Sequence, residues 1–193
     1  MRTINTVYRD PLEIVWTETA RELGMTIERG TTVFAAWNGS GVLTIGTQET
    51  LDADDSLAQM IFHEICHALV EGPESLSKPD WGLQIDNPVQ RVRENACLRL
   101  QAALAGQYGL RELLASTTVF RKYYDALPDD PLHSDDDPAA EIARCGWDRA
   151  TTGPWASPLE NALRITAQIA SAVREVAPAD SLWSRTDAGG HRL

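Results

Sequence analysis

The segment from Asp52 to Pro73 leaves the chain little choice of local structure. Leu57, Ile61, Phe62, Ile65, Ala68 and Leu69 recur at helical spacing. Ser56 with Gln59 three residues on forms a capping box, and Gly72-Pro73 stops the pattern. The spacing predicts a helix over about 57–71. Its wheel gathers Ile61, Phe62, Ile65, Ala68 and Leu69 into an apolar back and leaves a polar front expected to be exposed.

Around this helix the chain is punctuated clearly. Leu12 to Leu23 reads as a first helix ending at Gly24. Residues 25–29, 32–37 and 42–45 are β-prone, the last two joined by Asn38-Gly-Ser-Gly41, which is hairpin chemistry. A loop to Asp86 precedes Asn87-Pro88, an N-cap and N1 proline opening a third helix to about Ala105. Leu110 to Leu127 reads as helical, Pro128 to Pro138 as an acidic mobile loop, 139–145 as a short helix, and 147–158 as irregular. Leu159 to Val176 reads as an amphipathic helix, and the tail from Pro178 as loose. The expected fold is α+β, a small β-sheet packed on the 57–71 helix with a mostly helical C-terminal half. One domain spans 1–193: a core at 12–105, a helical part at 106–177 and the tail at 178–193.

Charge narrows the partners. The 193 residues hold 17 Lys+Arg against 28 Asp+Glu, a net charge of −11, and a surface of that sign repels phosphate backbones and anionic lipid. Direct nucleic-acid and membrane binding are therefore not expected. A chain of this length buries a core without metal staples, so a bound metal is expected to serve function. Cys66, Cys97 and Cys145 are odd in number and form no CxxC pair; with no signal-peptide pattern at the N-terminus and no long apolar run, the reading is cytoplasmic.

The chemistry is concentrated in His63-Glu64-Ile65-Cys66-His67. Two histidines four apart lie ~40° from each other on one helix face, so both imidazoles reach one ion. Glu64 sits beside that ion, where a carboxylate acts as general base toward a metal-activated water. A tetrahedral zinc site needs a third protein ligand. A metzincin would require Gly at 70 and His at 73, where this chain has Val70 and Pro73. A downstream carboxylate is expected instead: Glu94 first, with Asp80, Asp86 and Glu71 as alternatives.

The HEICH sequence after a hairpin, with Glu94-Asn-Ala-Cys-Leu-Arg-Leu100 on a following helix, resembles the ImmA/IrrE group of gluzincin-type metallopeptidases over roughly residues 12–105. The resemblance implies a zincin-like fold, zinc held by His63, His67 and Glu94, Glu64 as the base, and a peptide or protein substrate, in the setting of a regulatory protease. The alternative is a catalytically silent zinc-binding regulatory or protein-interaction module, against which Glu64 argues. Cys66 and Cys97 read as inert buried thiols. Tyr108, Tyr123, Tyr124 and His133 are candidates for oxyanion stabilisation, Trp37, Trp81 and Trp155 for core or groove walls with Trp81 bordering the cleft, and Asp129 to Asp137 for a solvated loop.

Overall fold

Asp10 opens the first helix, its carboxylate accepting from the Leu12 amide at 2.9 Å ahead of Pro11 at the first helical position. In the computed structural model, which describes residues 5–84, 87–117, 119–133 and 136–185, this helix is α1 (Pro11–Glu22). Three strands follow, β1 (Thr26–Gly30), β2 (Ala35–Trp37) and β3 (Val42–Gly46), in the order β1-β3-β2. β1 runs parallel to β3, and β2 pairs with it antiparallel as the expected hairpin. Asn38 Oδ1 accepts from the amides of Ser40 and Val42 and closes the turn. Gly39 is required there twice over: its φ is +75°, and a Cβ would stand 3.0 Å from the backbone of Lys78 and Pro79. The hairpin tip is thereby seated on the loop that leaves the next helix.

That helix, α2 (Leu57–Glu71), begins and ends where the sequence places it. Ser56 Oγ accepts from the Gln59 amide at 3.1 Å, but the reciprocal half of the capping box is absent: the Gln59 side chain is buried with both polar atoms unpartnered. The exposed polar front is also overturned. Every residue from Leu57 to Val70 is buried, because α1, α3 (Pro88–Gly106) and α5 (Pro138–Thr152) all pack on α2. Arg149 of α5 donates to the terminal carbonyls of Leu69 and Val70 at 2.6 and 3.0 Å, which anchors the end of α2. α6 (Ala156–Arg174) closes over α1, where Trp16 Nε1 donates to Thr166 Oγ1 at 3.0 Å.

The C-terminal half is helical but differently divided from the sequence reading. Between 107 and 127 the described residues form turns and one short helix, α4 (Arg121–Asp125). Gly109 is left-handed at φ +67°, and the Leu114 carbonyl accepts from the Gln101 side chain of α3. α5 continues through the stretch expected to be irregular. Gly146 lies in its interior because a Cβ would come 2.9 Å from Leu100 of α3; the glycine permits close helix packing instead of breaking the helix. The tail is anchored as far as Arg185: Leu182 and Trp183 in the turn Leu182–Arg185 pack against the core.

The acidic loop is latched. Arg99, 4% exposed on α3, donates to the carbonyls of Pro131 and His133 at 2.6 and 3.2 Å, to Tyr123 Oη at 2.7 Å and to Asp137 at 3.1 Å. Asp137 also accepts from Tyr123 Oη and from the Ala139 amide, capping α5. Arg99→Met is expected to cost about 2 kcal/mol, since it removes the donor that Arg99 supplies to two carbonyls and one of the donors to Asp137. Urea unfolding of the variant against wild type measures it.

Candidate metal centre

His63 and His67, one turn apart on α2, meet at a right angle, with ring planes 83° apart and Nε2 atoms 3.1 Å apart. Glu94 reaches them from α3, with Oε2 3.2 Å from His67 Nε2 and Oε1 3.6 Å from His63 Nε2. Tetrahedral zinc with bonds of about 2.0–2.1 Å places its ligand atoms about 3.3–3.4 Å apart. The three observed separations bracket that value, so the donor set fits such an ion.

The neighbours settle which nitrogen of His63 faces this point. Gln101, two turns beyond Glu94 on α3, donates through Nε2 to the Leu114 carbonyl at 2.7 Å, which turns its Oε1 toward His63 Nδ1 at 2.9 Å. His63 therefore carries its proton on Nδ1 and offers the Nε2 lone pair toward His67 and Glu94. The sequence reading missed Gln101, although the seven-residue spacing from Glu94 signals a shared helix face.

Cys97 is closer to the centre than an inert core thiol was expected to be. Ligand-type atoms of His63, His67 and Cys97, all three residues buried, lie within 4.8 Å of one another, a grouping that could hold a metal ion. Its Sγ is 3.7 Å from His63 Nδ1 and donates to the His63 carbonyl at 3.5 Å. That is the protonated, hydrogen-bonded side of the ring, and burial pushes the Cys97 thiol well above its ordinary range. Burial likewise pushes up Cys66.

Burial by itself would hold His67 neutral, but the Glu94 charge and hydrogen bond, aided by Glu64 and Glu71, lift it to about 9. The same ion pair, working against burial, draws Glu94 down to about 2. In the chain without metal, positive charge already belongs at this point.

Of the other expected carboxylates, Asp80 and Glu71 have partners elsewhere. Asp80 accepts from the Trp37 amide at 3.1 Å, Glu71 pairs with Arg93 at 2.8 Å, and Asp86 lies outside the described residues. Glu64 accepts at Oε2 from Trp81 Nε1 at 2.8 Å. Trp81 and Asp80 both adopt positive φ, 59° and 47°, strain of order 1–3 kcal/mol per residue that surrounding contacts must hold.

Glu64, His63, His67 and Glu94 line a cleft of about 490 Å³ whose walls include Phe34, Ala35, Met60, Val119 and Phe120, with Asp52 and Asp55 also on its lining. Tyr108, Tyr123, Tyr124 and His133 are absent from that lining. Tyr123 is held by Arg99 and Asp137, and Tyr124 Oη donates to the Arg111 carbonyl. Among the described residues no helix is long and apolar enough to cross a membrane. Comparison of the chain with family models, curated proteins and solved structures gives no match.

Proposed function

We propose that this chain is a zinc-dependent metallopeptidase of zincin type, with the gluzincin ligand set His63, His67 and Glu94 and the general base Glu64. The observation that carries the reading is the convergence of two imidazole Nε2 atoms and a carboxylate at 3.1–3.6 Å beside a second carboxylate in an open cleft. His63, His67 and Glu94 would hold the zinc, which when bound would supply polarisation of a substrate carbonyl and acidification of water. Glu64, next to His63 in sequence and lining the same cleft, takes the proton of the attacking water and passes it to the leaving amine. Gln101 keeps His63 in the ligating tautomer. The apolar walls receive a peptide or protein substrate and thin out competing water. Three free thiols, two of them buried, support a reducing, cytoplasmic setting.

Protein purified without chelator is expected to carry about one zinc per chain, and His63→Ala and His67→Ala each to lose it, by elemental analysis. Stoichiometric zinc in the double variant would rule out these ligands.

A further inference from the structure

Trp81 lies in the turn Pro79–Gly82, outside the helices that supply the metal donors, yet three independent contacts converge on its placement. Its ring stacks on Trp37 at 4.6 Å with the planes 6° apart. Trp37 is fixed in turn by Nε1 donating to the Leu76 carbonyl at 3.0 Å and by its amide donating to Asp80. Two successive non-glycine residues are held at positive φ by this framework. What the arrangement delivers is one indole N–H, 3% exposed as a residue, at 2.8 Å from Glu64 Oε2.

A glutamate side chain has three rotatable bonds, and a base must be held within a fraction of an ångström of its productive position. We infer that Trp81 is a positioning residue for Glu64: its indole N–H holds Oε2 and fixes the carboxylate beside the metal centre. Trp81 touches no reacting atom and acts through Glu64 alone. The inference rests on the reading of Glu64 as the base, so its test has one arm independent of turnover.

In that arm the indole nitrogens are labelled with 15N, and Trp81→Phe assigns the Trp81 resonance. The resonance is expected to exchange slowly with solvent in the wild type, and to shift and exchange faster in Glu64→Ala; an unmoved resonance overturns the inference whatever the protein does to peptides. The second arm uses Trp81→Phe, which keeps a ring to stack on Trp37 and removes the N–H. Zinc content and KM are expected to stay at the wild-type level while kcat falls about 10-fold or more. Unchanged kcat, or a rise in kcat that marks the indole as a block on the base, overturns the inference, and so does loss of zinc, which marks a structural role. A wild-type protein that cleaves nothing counts against the peptidase reading alone, and the indole resonance then still decides whether Trp81 holds Glu64.

Discussion

Glu64→Gln is expected to lower peptide turnover by about 100-fold or more with zinc content unchanged. The amide has the size of the carboxylate and still offers an oxygen to Trp81 Nε1, so the framework around Trp37 and Trp81 has no reason to move. The proposed donors to the metal are separate atoms on His63, His67 and Glu94. What the amide lacks is the capacity to accept and return a proton, which is the role proposed for Glu64. The comparison should be made on a peptide library and on cytoplasmic extract, with zinc measured on the same samples. Identical cleavage by wild type and variant would identify a contaminating protease. If neither cuts anything, yet both bind one partner only in the presence of zinc, the chain is a zinc-dependent interaction module.

The second large effect concerns Glu94. Glu94→Ala is expected to weaken zinc binding by more than about 100-fold in a chelator competition, beyond the range of losses typical of outer-shell partners. Cys97→Ser, Asp80→Ala and Glu71→Ala are each expected to stay within about 10-fold of wild type. Cys97 is the informative control, because its sulfur also lies near both histidines but faces the protonated nitrogen of His63. A larger loss in Cys97→Ser than in Glu94→Ala would reassign the third ligand.

Stability of the metal-free protein offers a second view of the same pair. The raised pKa of His67 contributes stability fully present below its ordinary value of about 6.5 and lost as pH rises through about 9. The lowered pKa of Glu94 contributes above its ordinary value of about 4.3, and that contribution is lost as pH falls through about 2. Chelated wild type therefore gains most from the pair between about pH 4.3 and 6.5, and Glu94→Ala should remove that plateau.

The parts of this molecule that local chemistry decides were legible in the chain. The bounds of α2 follow from Ser56, helical periodicity and Gly72, and the β2–β3 turn from Asn38 to Gly41. Glu94 stood out because the turns between α2 and α3 permit a return, and α3 brings it to the two histidines. What distant contacts decide was not legible. Gly146 looks like a breaker until Leu100 is seen against it. The acidic loop does keep Asp129, Asp130 and Asp136 exposed, but nothing near it in sequence announces that Arg99, 32 to 38 residues earlier, binds it. The polar face of α2 looks like a surface because nothing in its own sequence announces that Glu94 and Gln101 of α3 reach across to its histidines. Trp81 could be placed near the cleft, but its bond to Glu64 depends on a backbone conformation that a non-glycine sequence does not advertise.

The Gln101 bridge selects one of the two orientations open to an amide. An amide presents an oxygen on one side and a nitrogen on the other, and the Leu114 carbonyl selects which of them His63 meets. Rotating that amide by half a turn would give Nδ1 a donor to accept from, move the imidazole proton to Nε2 and withdraw the lone pair from Glu94 and His67. Leu114 stands only three residues before Thr117, which lines the cleft. One backbone carbonyl in an irregular segment thus sets the tautomer of a histidine on another element.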